Sequence, residues 1–140
     1  MSAGYSGTPL IKKLGIKEGF RVALVGAPDG FRSELEDLPG GVSFVTSIQR
    51  QLDFVLFFAK TRSELSRNFS RLVARLTPTG MLWIAWPKKA SGVATDLSDS
   101  VVREIGLDAG LVDVKVCAIN EIWSGLKFVI RVKDRPRNPK

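Results

Sequence analysis

The fold is decided by the most hydrophobic stretch of the chain, Leu52-Asp53-Phe54-Val55-Leu56-Phe57-Phe58-Ala59. The stretch is rich in residue types that favour β-structure. It is also shorter than a typical buried helix. This pattern predicts a central strand of a sheet, with Asp53 as a structural hydrogen-bond acceptor near the start of the strand.

Strand and helix patterns alternate on both sides of this stretch. Residues 20–26 form a compact apolar run bounded by glycines, which is typical of a buried parallel strand. Residues 42–47 predict a second, shorter strand, and residues 81–86 predict a fourth strand that Pro87 ends. Periodic apolar residues, capping residues and terminating glycines or prolines predict helices over 8–15, 30–38, 62–76 and 97–109. Thr77-Pro78-Thr79-Gly80 is the turn after the third helix, and Asp96 or Ser98 caps the fourth.

The last third of the chain has a different pattern. Residues 111–119 and 126–132 alternate between apolar and polar side chains, which predicts an antiparallel hairpin with one wetter face. The segment between them, 120–125, is expected to form the connection, with Gly125 supplying the conformational freedom of the turn. Residues 133–140 contain no apolar side chain. They are predicted to be a disordered basic tail after a single domain at 1–132.

This order of elements predicts an α/β fold, with a mostly parallel twisted sheet, helices on both faces and a C-terminal antiparallel hairpin. One connection is unusually short. About five residues, 48–52, separate the second and third strands and reach at most about 17 Å, whereas parallel crossovers need a dozen or more residues. Either the second strand is short and parallel without an intervening helix, or it runs antiparallel.

Three local features carry a resemblance to a known fold: Asp53 at the start of the third strand, the turn within residues 76–82, and the terminal hairpin. Together they resemble the class I, S-adenosylmethionine-dependent methyltransferase variant of the Rossmann fold. The resemblance implies the strand order 2-1-3-4-6-5, with strands numbered along the chain.

Several longer strings carry a second resemblance. They are Tyr5-Ser6-Gly7-Thr8-Pro9-Leu10, Lys13-Leu14-Gly15-Ile16, Trp86-Pro87-Lys88-Lys89-Ala90-Ser91-Gly92-Val93, Thr95-Asp96-Leu97, Val102-Arg103-Glu104, Gly110-Leu111-Val112-Asp113-Val114-Lys115-Val116 and Trp123-Ser124-Gly125-Leu126-Lys127-Phe128. These strings resemble a small, uncharacterised bacterial family catalogued as a domain of unknown function. The likeness covers nearly the whole chain except the tail, and it implies no particular reaction.

Charge gives limited support for a polyanionic partner. The 140 residues contain 21 Lys and Arg against 14 Asp and Glu, a net charge of +7. The excess lies mainly at the two ends, and the intervening domain is nearly balanced. The stripe formed by Arg67, Arg71 and Arg75 is interpreted as the solvated face of a helix. Nucleic acid is therefore not expected as a partner, except for nonspecific, salt-sensitive binding by the tail.

Composition also excludes several kinds of chemistry. The chain has no histidine and one cysteine, so it has no His-based catalytic triad, no His-ligated metal site and no internal disulfide. Cys117 is interpreted as a buried structural thiol, and no metal or catalytic residue is predicted. The absence of a leader-like segment or a membrane-length apolar run predicts a cytoplasmic protein without a membrane partner.

Two loops are candidate ligand sites, because ligands of open α/β sheets bind at the carboxyl ends of the strands. The first is the turn Gly26-Ala27-Pro28-Asp29-Gly30, which does not match the glycine-rich motifs that bind adenosine cofactors. The second strand also lacks an acidic residue for a ribose, so no cofactor is expected. The second loop follows the fourth strand. The candidate binding residues in the two loops are Gly26, Asp29, Gly30, Trp86, Lys88, Lys89, Ser91 and Gly92.

An intact sheet pattern without cofactor motifs predicts a non-catalytic binding or regulatory module that acts on an unknown protein. One alternative is an enzyme or sensor for a small anionic ligand bearing phosphate or carboxylate, held by the lysines at 88 and 89. Another is nonspecific nucleic-acid binding through the tail. The half-polar hairpin at the sheet edge further predicts a homodimer that forms through this edge.

Overall fold

A computed structural model describes residues 9–46 and 51–135 of the chain. These residues form one six-stranded sheet with the order β2-β1-β3-β4-β6-β5, which confirms the predicted order. β1 to β4 pair in parallel, whereas β6 runs antiparallel to both β4 and β5. The strands are β1 Arg21–Val25, β2 Ser43–Phe44, β3 Leu52–Phe58, β4 Leu76–Pro87, β5 Leu111–Ala118 and β6 Trp123–Ile130.

Helices cover both faces of the sheet, as predicted. They are α1 Leu10–Leu14, α2 Arg62–Val73 and α3 Asp99–Asp108, with short 3-10 helices at Phe31–Glu34, Lys89–Ser91 and Val132–Asp134. Side-chain oxygens satisfy the free N–H groups at the start of the two longer helices. The Thr61 hydroxyl accepts from the backbone N–H of Glu64, and the Ser98 hydroxyl accepts from that of Val101. Of the two caps predicted for α3, the structure therefore uses Ser98.

Two apolar clusters lie on opposite faces of the sheet. One lies under α2 and α3 and includes Phe69, Trp86 and Phe128. The other lies under α1 and the first 3-10 helix and includes Phe31 and Trp83. The two tryptophans of β4 thus point to opposite faces, as their odd spacing predicts.

The helix predicted over 30–38 is wrong in extent, because only Phe31–Glu34 is helical and its geometry is 3-10. Two residues with left-handed backbone bracket the segment, Gly30 with φ 82° and Asp37 with φ 59°. These conformations leave room for about one turn. The expected apolar contacts still form in part, since Phe31 and Leu35 are buried.

The second strand is also shorter than predicted. Residues 42–47 supply only Ser43 and Phe44 to the sheet, paired in parallel with Arg21 and Val22 of β1. The parallel alternative is therefore the correct one, and the strand is short enough to dispense with a crossover helix. Most of the connection, 47–50, lies outside the described residues.

Two predicted turns prove to be parts of strands. Thr77 to Gly80 belong to β4, whose pairing with β3 shifts register between Leu52 and Phe54. A Cβ on Gly80 would lie 2.8 Å from the Leu52 carbonyl oxygen, so glycine permits this close approach. Gly125 likewise lies inside β6, where a Cβ would lie 2.8 Å from Ile119 Cδ1 and 3.0 Å from Trp83 Cε3. The hairpin connection is therefore shorter than residues 120–125.

Asp53 has the predicted structural role, because its Oδ2 accepts a 2.8 Å hydrogen bond from the backbone N–H of Arg21. This bond joins the start of β3 to that of β1, at the end of the sheet opposite the candidate loops. The boundary of the tail remains a prediction, since residues 136–140 lie outside the described part of the chain. No helix within 9–46 and 51–135 is long and apolar enough to cross a membrane.

Candidate functional site

A cavity opens at the carboxyl ends of β1 and β2. Its volume is about 520 Å³. β1 has β2 on one side and β3 on the other, so the chain changes direction across the sheet at this point. Ligands of open α/β folds bind beside such a switch point. The cavity is lined by Ala23, Leu24, Val25, Gly26, Arg32, Phe44, Val45 and Thr46.

An aromatic ring and a guanidinium group form the most distinctive part of this cavity. The guanidinium carbon of Arg32 lies 3.9 Å from the ring centroid of Phe44, in cation–π contact. The ring stands on the two-residue strand β2, and Arg32 comes from the 3-10 helix after β1. The remaining walls are largely aliphatic. The cavity therefore combines aliphatic walls with an aromatic ring that an exposed guanidinium covers.

The turn after β1 is tight, and its backbone is already engaged. Gly26 has φ 70°, and a Cβ there would lie 3.0 Å from the carbonyl oxygen of Phe58. The N–H of Phe31 donates to the Pro28 carbonyl at 3.0 Å. Of the candidate residues in this turn, Gly26 lines the cavity, whereas Asp29 and Gly30 are exposed beside it. The turn resembles a compact support for the cavity more than a cradle for a phosphate.

The loop after β4 does not share this cavity, although it leaves the same edge of the sheet. β3 lies between β1 and β4, so the two loops are about 10 Å apart. Trp86, expected at the cleft, is 5% exposed and belongs to the core under α2 and α3. Lys88 is half-buried, while Lys89 and Gly92 are exposed.

Ser91 has a local structural role in this loop. Its hydroxyl donates to the Lys88 carbonyl at 2.7 Å and accepts from the N–H of Val93 at 3.1 Å. Further along, the Thr95 hydroxyl donates to the Lys60 carbonyl at 2.6 Å. These bonds tie the β4 loop to the turn after β3 and shape the far side of the binding edge.

Cys117 has the properties of a structural thiol. It is half-buried on β5, and burial raises the pKa of its thiol. The neutral form is therefore favoured at neutral pH, as expected for an unreactive cysteine. Among the described residues, no group of Cys, Asp and Glu side chains is arranged to hold a metal ion.

Of the eight residues that line the cavity, the sequence predicted only Gly26 as a binding residue; the missed residues include the charged Arg32, the aromatic Phe44 and the hydroxyl of Thr46. The only signal available was the position of residues 43–46 as a short strand after a Rossmann-type turn. The carboxyl end of that strand faces the ligand in such folds.

No protein-family model matches the chain, and no curated protein matches it in sequence. The resemblance to a bacterial family of unknown function therefore remains a prediction. The fold itself is shared with many solved structures.

Three of these similar structures are methyltransferases or carry their cofactor. One is a SAM-dependent methyltransferase from Aquifex aeolicus, 20% identical, covering 85% of this chain and 86% of that chain with TM-score 0.59. Another is magnesium protoporphyrin IX methyltransferase from Synechocystis with bound SAM. It is 14% identical, and the match covers 86% of this chain and 74% of that chain with TM-score 0.55. The third is fibrillarin from Aeropyrum pernix with natively bound SAM. It is 14% identical, and the match covers 90% of this chain and 70% of that chain with TM-score 0.57. At these identities the likeness shows a shared Rossmann-like, methyltransferase-like fold.

The prediction of a non-catalytic binding or regulatory module was wrong. It rested on the missing glycine-rich and acidic motifs, yet several of the solved structures that share this fold are methyltransferases. The anion alternative also loses its basis, because the β1 turn and the lysines at 88 and 89 do not line one cavity. The end of the tail lies outside the described residues, so nucleic-acid binding through it is not tested by the structure.

Proposed function

We propose that this domain binds an S-adenosylmethionine-type cofactor at the carboxyl ends of β1 and β2 and acts as a methyltransferase. The observation that carries the proposal is the 520 Å³ cavity beside the β1 switch point of a sheet ordered β2-β1-β3-β4-β6-β5. The expectation of no cofactor followed from a β1 turn without the glycine-rich motif and from a second strand without an acidic residue. Only Gly26 of that turn is among the eight lining residues, so the missing turn motif does not decide how the cavity is used.

The residues present fit two parts of such a cofactor. The Phe44 ring, from which the Arg32 guanidinium would have to move aside, and the neighbouring Leu24 side chain on the same face of the sheet supply an apolar surface suited to an adenine. The guanidinium of Arg32 supplies a charge partner for the carboxylate at the amino-acid end. One aromatic ring and one cation in the same cavity match a ligand that is aromatic at one end and anionic at the other.

The ribose has a different environment from that of a typical Rossmann site. No carboxylate is among the residues that line the cavity, whereas such sites commonly use Asp or Glu to accept from ribose hydroxyls. The Thr46 hydroxyl and backbone carbonyls are the acceptors on this wall. We therefore expect weaker binding than in a site with an acidic residue, with adenine contacts carrying a larger share of the affinity.

The bound cofactor would supply an activated methyl group, and the chain would orient it toward the open edge beside β3 and β4. Lys60 and Lys88 lie where those strands end, and the Thr95–Lys60 hydrogen bond holds the surrounding loops together. The chain has no histidine. A proton released by an acceptor would therefore pass to a carboxylate or to solvent.

Isothermal titration calorimetry with S-adenosylhomocysteine tests the proposal, since this product binds without reacting. We expect saturable binding that Phe44→Ala weakens by about tenfold, because one aromatic contact contributes about 1 kcal/mol or more. NAD and ATP serve as adenosine controls and are expected to bind more weakly. Absence of binding at millimolar S-adenosylhomocysteine, or equal binding by the Phe44→Ala variant, would contradict the proposal.

A further inference from the structure

A group of lysines lies on the α1 side of the sheet, away from the cavity. Lys115 of β5 and Lys127 of β6 are direct cross-strand partners in the hairpin. Lys17 follows α1, which packs over the same face. We call Lys17, Lys115 and Lys127 the lysine cluster.

Lys127 is the central member of the cluster. It is half-buried, and its Nζ lies 4.0 Å from the position that a Cβ would take on Gly15, at the end of α1. The ammonium group is therefore held between α1 and the hairpin. Within residues 9–46 and 51–135, no carboxylate forms an ion pair with Lys17, Lys115 or Lys127.

Hydrogen bonds join α1 to the strand that carries Lys115. Lys115 Nζ donates to the backbone carbonyl of Lys13 at 3.0 Å, so its charge is held against α1. In the opposite direction, Lys13 Nζ donates to the Ala118 carbonyl at 3.3 Å. The two bonds join α1 to β5, one of them at the residue that pairs with Lys127. Lys127 is thus enclosed between packed elements, while Lys17 and Lys115 are exposed to solvent beside it.

This arrangement is electrostatically unfavourable by itself. Burial lowers the pKa of Lys127, and the charges of Lys115 and Lys17 lower it further. Like charges directly opposite each other on paired strands destabilise a sheet. A bound anion would reverse the sign of the local interaction and replace part of the water lost by the buried ammonium.

We propose that the lysine cluster binds a small oxyanion of the phosphate class, free or carried on a small ligand. A compact group of high charge suits an ammonium held between a helix and a hairpin better than an extended polymer does. The site is distinct from the cavity, because β4 and β3 separate β6 from β1 by about 14 Å in the sheet. Anion binding at the lysine cluster is additional to the proposed cofactor binding and does not depend on the cofactor site.

Thermal unfolding in inorganic phosphate tests this proposal. We expect phosphate to raise the Tm more than sodium chloride of equal ionic strength, because chloride only screens the repulsion. Calorimetry should show phosphate binding that Lys127→Met weakens by at least about tenfold, as expected for one charge-assisted hydrogen bond. The same substitution should raise the Tm without phosphate, since it removes the repelled charge.

Arg67→Met is the matched control, because it removes one exposed positive charge from α2 on the opposite face of the sheet. It should bind phosphate as the parent protein does. Lys115→Met provides a second test at an exposed position. Equal stabilisation by phosphate and chloride, or unchanged phosphate binding in both lysine variants, would overturn the proposal. So would binding of a DNA or RNA oligonucleotide through the cluster without binding of phosphate.

Discussion

The guanidinium of Arg32 lies over the ring of Phe44, 3.9 Å from its centroid, inside the cavity at the carboxyl ends of β1 and β2. Arg32 lies in the connection after β1, whereas Phe44 lies in the strand β2. A cation and an aromatic surface are therefore available together at the edge where ligands of this fold bind.

Arg32→Met is expected to weaken S-adenosylhomocysteine binding by about tenfold or more, the loss of one charge-assisted hydrogen bond. It should leave 5′-methylthioadenosine binding nearly unchanged, because that ligand lacks the amino-acid carboxylate. Calorimetry with the two ligands measures the difference, and Arg67→Met controls for net charge. An equal loss for both ligands would show that Arg32 does not contact the carboxylate.

Gly106→Ala is expected to destabilise the domain strongly. A Cβ on Gly106 would lie 2.1 Å from Phe128 Cε1 and 2.3 Å from its Cζ, so α3 would have to move off β6. Overpacking of this kind costs about 1–3 kcal/mol or more. Urea unfolding measures the change. The control is Gly40→Ala, where nothing lies within 4 Å of the new methyl group and no loss is expected.

Trp83→Phe is expected to lower the free energy of unfolding by about 1–3 kcal/mol, because the buried carbonyl of Leu14 loses its partner. Trp83 Nε1 donates to that carbonyl at 2.9 Å and ties the end of α1 to β4. Trp123→Phe is the matched control, since Trp123 is also buried and no hydrogen bond from its ring joins it to the described residues. A larger loss at Trp123 than at Trp83 would contradict this account.

The stability contributed by Asp113 is expected to depend on pH. Its Oδ2 accepts from Arg103 Nε at 2.8 Å, and this bond lowers the pKa of the carboxyl below its ordinary value of 3.8. Arg103 also pairs with Asp99 on its own helix. A carboxyl with a lowered pKa in the folded state stabilises the protein above its ordinary pKa and loses this effect as the pH falls.

In urea unfolding at pH 7, the free energy of unfolding should therefore be lower for Asp113→Asn than for the parent protein. The difference should be less than about 1 kcal/mol, because the ion pair is partly exposed. The difference should shrink as the pH falls below about 4. Asp108→Asn, an exposed position on α3, should show no such trend. A gap between parent and Asp113→Asn that widens in acid would contradict the sign of this linkage.

Much of the fold could be predicted because its central residues carry strong patterns. The near-continuous apolar run of β3 predicts a central strand. In β4, the odd spacing of Trp83 and Trp86 predicts that the two rings lie on opposite faces of the sheet. Thr77 to Gly80 and Gly125 were mistaken for turns because Gly and Pro mark turns in local sequence. In the sheet, the glycines instead make room for the Leu52 carbonyl and for the side chains of Ile119 and Trp83.

The candidate site was harder to predict, because its residues gain their meaning only from packing. Phe44 lies in a strand of two residues, too short to show a period. Arg32 acquires a role only through the ring it covers. Trp86 was expected at the cleft from its place at a strand end, but the layer under α2 and α3 buries it.

Self-association through the hairpin remains a prediction. β5 forms an edge of the sheet, and Val112, Val114 and Val116 are exposed on it. Lys115 on the same strand opposes close pairing of two copies through its charge. Sedimentation equilibrium of the parent protein and of Val114→Lys tests the prediction. A dimer that survives the substitution would place the contact elsewhere.

A crystal structure of the protein grown with saturating S-adenosylhomocysteine tests the central claim most directly. We expect density for the ligand in the cavity between β1 and β2, with the adenine against Phe44 and the carboxylate within hydrogen-bond distance of Arg32. Density at another part of the sheet, or a cavity without ligand at concentrations where calorimetry reports saturation, would contradict the claim.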